Sequence, residues 1–247
     1  MSDKPVAGRL TLVTGASRGI GYFAAKALAR AGSHIIAVAR TQGGLEELDD
    51  EIKSAGGQCT LVPMDLEDFE AIDRLGGVIH DRWGRLDGLF ANAGVLGDIT
   101  PAPHVKPDVW NRVFSINTTA NYRLIRSLDP LLRASESGRA VFQTSGIVNS
   151  RRAYWGPYAA SKAALEAFVQ CYAKEVGITN LRVNLLNPGA TRTAMRAMAM
   201  PGENPDSLPH PSELAPLIVE MLSPCYSKNG EIITFRGTGH FTPPARQ

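Results

Sequence analysis

The stretch "GPYAASKAAL", residues 156–165, sets Tyr158 four residues before Lys162 with nothing larger than serine between them. Its alanines and Leu165 are good helix formers, and on a helix residues four apart share one face, a turn apart. A free tyrosine has a pKa near ~10 and is a poor base at neutral pH. A neighbouring ammonium favours the phenolate, which suits the phenol to pass a proton to or from a carbonyl or an alcohol. The small Ala159, Ala160 and Ser161 leave room for a flat ligand. A bare Tyr-x-x-x-Lys is more often an exposed pair, so its meaning depends on what accompanies it. Ser145, in "QTSG" thirteen residues before Tyr158, offers a hydroxyl to hold a substrate oxygen. Asn117, in "FSINTTA", lies in a helical region where asparagine has little local advantage, which suits either a polar relay or, as is commoner for such a residue alone, a satisfied buried amide.

Elements that could position these groups follow from the pattern around them. Apolar and β-branched runs at 9–14, 34–39, 59–64, 86–91, 139–144, 181–186 and 231–235 read as strands. Several are apolar at consecutive positions, as parallel strands covered on both faces are. Helical patterns fall between them, at about 19–31, 43–55, 67–83, 105–134, 157–176 and 212–223. The alternation predicts an α/β fold: one doubly wound parallel sheet of about seven strands, with right-handed crossovers and helices on both faces. The chain has 247 residues, 44% of them hydrophobic, which suits a single domain over 1–247. The stretch 194–213, rich in Met and Pro, is expected to be a long excursion that covers a substrate.

The first predicted strand runs through "TGASRGIG", Thr14 to Gly21, into the first predicted helix. Glycines at 15, 19 and 21 allow a sharp turn and the close approach of a pyrophosphate. The helix N-terminus offers free N–H groups and a positive dipole end. Asp65 ends the third strand as a possible acceptor for an adenine amino group or a cap for the helix that follows. Asn92 and Gly94 end the fourth. A site selective for NAD places an acid about twenty residues past the glycine turn. Here "VARTQGG" has Arg40 and Thr41 there and no carboxylate. Arg40 offers a planar grip on a 2′-phosphate, Thr41 adds a hydroxyl, and Arg18 is a second cation. NADP(H) is therefore expected in preference to NAD(H).

Together these residues resemble the short-chain dehydrogenase/reductase family over nearly the whole chain. The family's TGxxxGxG corresponds to Thr14–Gly21, its serine to Ser145, its YxxxK to Tyr158 and Lys162, and its asparagine to Asn117. "NPGATRT" (187–193) resembles its PG motif, whose later threonine, here Thr193, contacts the nicotinamide carboxamide. "GVLGD", "WGPYAASK" and "NPGATRTAMRA" look most like a bacterial oxoacyl-reductase-like branch. The resemblance implies a Rossmann-type fold and a catalytic set of Asn117, Ser145, Tyr158 and Lys162. Lys162 would bind ribose hydroxyls and depress the Tyr158 pKa, Tyr158 would protonate the carbonyl oxygen, and Asn117 would anchor a water. Cofactor contacts are implied at Gly15, Ser17, Arg18, Gly19, Ile20, Gly21, Arg40, Thr41, Asp65, Leu66, Asn92, Ala93 and Gly94. Tyr158, Lys162, Pro188, Gly189, Thr191 and Thr193 complete that set. The family's NNAG is ANAG here, with Ala91 first, and "GEIITFRGTGHF" lacks its usual VDGG.

These features favour an oxidoreductase that moves hydride between a nicotinamide and a carbonyl or secondary alcohol. A 3-oxoacyl-thioester reductase is the alternative, and a cofactor-binding regulator without turnover the rival from another class. Ser145, Trp155 and Met195 are expected to meet the substrate, with Leu96, Ile147, Val148 and Met198 completing an apolar lining or belonging to the core. A net charge of +2 with no basic block gives nucleic acid little support. The three cysteines are far apart and fit reduced thiols, and no metal-ligand spacing appears. No apolar run is long enough for a membrane span and "MSDKPVAGRL" lacks a signal-peptide core, so a cytoplasmic location is expected. The family resemblance implies a homodimer or homotetramer paired through the helices at about 105–134 and 157–176.

Overall fold

All five residues of the first strand, β1 (Leu10–Thr14), are buried, as a strand covered on both faces requires. The computed structural model describes residues 4–235 and 237. In it β1 joins β2 (His34–Ala39), β3 (Gln58–Pro63), β4 (Gly88–Ala91), β5 (Arg139–Gln143), β6 (Arg182–Asn187) and β7 (Ile232–Thr234). All pair in parallel, in the order β3-β2-β1-β4-β5-β6-β7. The order reverses between β1 and β4, and the crevice at their carboxyl ends is where such sheets bind ligands. The last part of "GEIITFRGTGHF" lies outside the described residues.

Strand side chains alternate between two cores. Leu12, Val38, Leu89, Phe142 and Leu185 face one side, where they meet α3 (Phe69–Trp83), α5 (Ala120–Ala134) and α7 (Gly156–Glu175). Val13, Ile35, Phe90, Val141 and Ile233 face the other, against α1 (Gly19–Arg30), α2 (Gln42–Ser54) and α9 (Ala215–Met221). At the amino edge of the sheet, Asp87 accepts from Leu10 N at 2.9 Å and Ser135 Oγ at 2.6 Å. Arg9 donates to Asp87 O at 2.6 Å and to Ser137 O at 2.8 Å. Around β1, β4 and β5 that edge is tied by its own polar groups; the carboxyl edge carries the loops.

Several boundaries differ from the sequence expectation, most by one or two residues. α3 begins at Phe69 because Asp68 caps it, accepting from Ala71 N at 2.9 Å. Asp65 instead closes a tight turn, accepting from Glu67 N at 3.1 Å. The long helix expected at 105–134 starts at Pro107 as α4 (Pro107–Phe114) and passes through a π-turn (Ser115–Thr119) before α5. Pro216 is tolerated only in the first turn, so α9 starts at Ala215 after a 3₁₀ turn at Pro211–Leu214. A short α6 (Ile147–Ser150) follows β5, and α8 (Ala194–Ala199) lies within the excursion after β6. Among the described residues no helix is long and apolar enough to cross a membrane.

Candidate active site

The turn from β1 into α1 needs its glycines for two separate reasons. Gly15 sits at φ +67°, and a Cβ there would come within 2.8 Å of Asn92 Nδ2. A Cβ at Gly21 would lie 2.3 Å from Gly15 O, so only glycine lets the first turn of α1 fold against the loop. Above the turn the space is open: a Cβ at Gly19 would touch only Thr193 Cγ2, at 3.8 Å. Arg18 precedes α1 with an extended backbone, no side-chain cap forms, and the first turn has no acid. Early N–H groups of α1 are thus left for an anion, and the helix dipole favours one. These features fit a dinucleotide pyrophosphate. Gly44 of α2 packs on Ser17, where a Cβ would lie 3.0 Å from Ser17 Cβ. This brings the end of β2 beside the glycine turn. Arg40 there is exposed and reaches Asp65, Nη1 to Oδ2 at 3.6 Å, so the two residues read as separate ligand contacts form one pair. Thr41 precedes α2 without capping it. Leu66 is buried among the core residues beneath.

The loop after β4 is fastened to β1. Thr14 Oγ1 accepts from Asn92 N at 3.0 Å and Ala93 N at 3.1 Å, and Asn92 Nδ2 donates to Thr14 O at 2.9 Å. Ala91, where the family has asparagine, is the last residue of β4 and is buried. Gly94 leaves a narrow gap: a Cβ would lie 3.1 Å from Asn117 Oδ1 and 3.5 Å from Lys162 Nζ. Asn117 is fully buried in the π-turn, an insertion common at functional sites. Its side chain is fully engaged: Oδ1 accepts from Val95 N at 2.9 Å, and Nδ2 donates to Val95 O at 2.9 Å and Ser161 Oγ at 3.0 Å. Contact with a further group is left to its backbone carbonyl, which already accepts from Asn121 Nδ2 at 2.8 Å.

Pro157 sits in the first turn of α7, where its missing N–H costs nothing. The buried stripe Tyr158, Ser161, Lys162, Leu165, Val169 then faces the sheet at helical spacing. Lys162 Nζ lies 6.0 Å from the centre of the Tyr158 ring and donates to Gln143 O at 2.7 Å. Burial pushes the Tyr158 phenol up, and the Ser145 hydroxyl pulls it back. Burial lowers Lys162 to about 8, and the Glu166 carboxylate opposes that fall. Ser161 ties the set together, donating to Tyr158 O at 2.9 Å while accepting from Asn117.

The loop after β6 closes the far side. Asn187 Oδ1 accepts from Gly146 N at 3.0 Å and Gly189 N at 3.1 Å, which joins the Ser145 turn to the Pro188–Gly189 turn. Thr191 Oγ1 donates to Pro188 O at 3.0 Å, and Thr193 caps α8 by accepting from Arg196 N at 3.2 Å. Tyr158 clusters with Leu96 and Ile147, flanked by Val148, Trp155, Ala159, Met195 and Ala199. Met198 is 71% exposed and stands outside that cluster, contrary to its expected place in the lining. The excursion at 194–213 is tied both within itself and to its surroundings. Arg196 holds Glu203 through two bonds of 2.6 Å, Arg192 Nη1 reaches Asp206 at 2.8 Å, and His210 packs on Phe23 at 4.7 Å.

The structure adds Gln143, Thr144, Ser161, Glu166, Asn121 and Asn187 to the residues singled out in the sequence. Glu166 had a visible sign, its helical spacing from Lys162. Gln143 acts through its backbone, and Asn187 works only through the register of β5 with β6, which side-chain type does not reveal.

Comparison with known proteins agrees with this geometry. The profile of the short chain dehydrogenase family matches residues 9–204. YciK of Escherichia coli K12, an uncharacterised oxidoreductase, is 40% identical over 217 residues, 87% of this chain and 86% of its own. Its solved structure superposes with a TM-score of 0.90 at 38% identity, covering 95% of this chain and 97% of that one. The 3-oxoacyl-[acyl-carrier-protein] reductase FabG of Vibrio harveyi is 31% identical over 225 residues, 88% of this chain and 91% of its own. A short chain dehydrogenase from Shigella flexneri 2a, in a crystal structure complexed with NADP, gives a TM-score of 0.90 at 39% identity. It covers 94% of this chain and 99% of that one. The chain belongs to the short-chain dehydrogenase/reductase family of oxidoreductases.

Proposed function

We propose that this chain is an NADP(H)-dependent oxidoreductase of carbonyls and secondary alcohols, with Tyr158 as the general acid and base. The observation that carries it is the meeting of Tyr158, Lys162, Ser145 and Asn117 at the carboxyl edge of the sheet, beside an uncapped, glycine-lined helix N-terminus. When bound, the cofactor supplies or takes up the hydride. Tyr158 gives its proton to the substrate oxygen in reduction and takes it back in oxidation. Its burial raises the phenol's pKa and so favours it as a proton donor, and Ser145 holds the same oxygen. Lys162 faces the ribose and favours the phenolate left behind. Asn117 anchors a water through its backbone carbonyl and fixes Ser161 beneath Tyr158. Ser17 and the first-turn N–H groups of α1 take the pyrophosphate. Asn92, Ala93, Gly94, Asp65 and Leu66 line the adenine and ribose side, and Pro188, Gly189, Thr191 and Thr193 the nicotinamide side. The whole chain acts as one domain, with 194–213 over a substrate pocket that includes Trp155 and Met195.

Arg40 and Thr41 support the preference for NADP(H), as does the Shigella relative complexed with NADP. Initial rates with NADPH and NADH, over a panel of ketones, aldehydes and 3-oxoacyl thioesters, test the reading. NADPH is expected to be favoured, and Arg40→Asp to reverse that preference by about tenfold or more, the scale of a charge-assisted contact. Equal use of both cofactors by the wild type would remove the NADP assignment. Tight binding without turnover across the panel would favour a regulator instead. The apolar cluster around Tyr158 and the Vibrio oxoacyl reductase keep a 3-oxoacyl thioester as the second reading. Acyl thioesters that outrun every simple ketone would establish it.

A further inference from the structure

Three consecutive residues at the end of β5 receive three successive turns of α7. Gln143 O accepts from Lys162, Ser145 acts on Tyr158, and between them Thr144 Oγ1 donates to Glu166 Oε1 at 2.5 Å. Thr144 is itself pinned, its N–H bonded to Leu186 O at 2.8 Å. Glu166 stands four residues beyond Lys162, as Lys162 stands four beyond Tyr158, so the three side chains follow one face of α7. A half-buried glutamate fixed to the sheet is not the solvated helix charge its type usually is. Burial raises the Glu166 pKa, while Thr144 and Lys162 hold it down.

Lys162 is 2% exposed, and a buried ammonium needs a partner charge. The groups placed against it are the Gln143 carbonyl, which accepts from it at 2.7 Å, and, across the gap at Gly94, the Asn117 amide from the π-turn. Tyr158 and Glu166 flank it at four-residue spacing on its own helix, Glu166 acting through its charge and not through a direct ion pair. Of these only Tyr158 and Glu166 titrate, and Glu166 is the anion. We propose that Glu166 is a positioning residue for this reaction: fixed by Thr144, its carboxylate is the counter-charge that keeps Lys162 an ammonium beside Tyr158. The inference rests on the role proposed above for Lys162.

The sign follows directly. Lys162 already sits low, at about 8, and Glu166 raises it. Removing the carboxylate must lower it further, so the ammonium is lost at a lower pH. In Glu166→Gln, the high-pH limb of kcat/KM is expected about one pH unit below that of the wild type, at the low end for a nearby opposite charge. The rate at pH 6 should stay within about twofold, and Glu166→Asp should restore the limb. A readout free of turnover is the titration of the Lys162 Cε signal by NMR of ¹³C-lysine protein, assigned with Lys162→Arg. It too should midpoint at a lower pH in Glu166→Gln without cofactor. If Glu166→Gln does not fold, Thr144→Val, which leaves the carboxylate unheld, should move both readings in the same direction. An unmoved Lys162 titration, or a rate loss equal at every pH, overturns the proposal. A moved titration in a protein without turnover would keep Glu166 as the counter-charge of Lys162 but overturn its part in a reaction, together with the catalytic reading.

Discussion

In the proposed reaction Tyr158 and Lys162 would divide one proton transfer between two turns of α7, and substitution should separate their parts. Tyr158→Phe removes the acid and leaves Lys162 in place, so turnover should fall by about 10²–10⁴-fold with NADPH affinity nearly unchanged. Lys162→Ala should damage both, because it removes the proposed ribose contact and the charge proposed to favour the phenolate. Steady-state rates beside calorimetric binding of NADPH make the comparison. A phenylalanine variant that kept more than a few per cent of the wild-type rate would place the acid elsewhere. At this scale the sequence was informative about which side chains come together, as with Tyr158, Lys162 and Ser145. It was weaker for Asn117, whose amide is spent on Val95 and Ser161 and leaves only the backbone to serve a relay. It was silent on Thr144, whose bond to Glu166 exists only because β5 and α7 pack together.

Among the elements, α3 and α5 meet at a contact that one glycine permits. "LGG" places Gly76 and Gly77 side by side on α3, and by residue type they are equivalent. In the fold a Cβ at Gly76 would lie 2.3 Å from the backbone oxygen of Ser127 on α5, whereas nothing lies within 4 Å of one at Gly77. Gly76 N also donates to Ser127 Oγ at 3.0 Å. Gly76→Ala must push α5 away and should destabilise by about 1–3 kcal/mol, as overpacking does. Gly77→Ala gains helix propensity and should stabilise by up to about 1 kcal/mol. Urea unfolding of the two variants checks this, and equal effects would mean that the helices are not in contact there. The strands and the main helices were legible because apolar runs and turn residues mark them. The π-turn was not, since its wider winding leaves no mark in residue type. Yet that turn places Asn117 between Gly94 and Ser161.

For the whole molecule, the two edges of the sheet have separate tasks. The amino edge is tied by Arg9, Asp87 and Ser135, while the carboxyl edge carries the loops that bring the candidate site together. The outer surface of α5 and α7 adds a different feature. Tyr122 is 42% and Phe168 38% exposed, and their rings meet edge to face across the two helices at 5.9 Å. Singly exposed apolar residues such as Ile178, 98% exposed, are ordinary. A pair that spans two long helices is more informative, because a second chain can cover both at once. These are also the helices through which the family resemblance led us to expect pairing. We therefore predict a homo-oligomer built on this face. Sedimentation should give at least twice the chain mass for the wild type, and Tyr122→Glu with Phe168→Glu should shift it to one chain, since each buried carboxylate would lack a partner. Ile178→Glu, off the face, should leave the assembly unchanged. A monomeric wild type, or an assembly indifferent to the double substitution, would place these aromatics among ordinary surface residues.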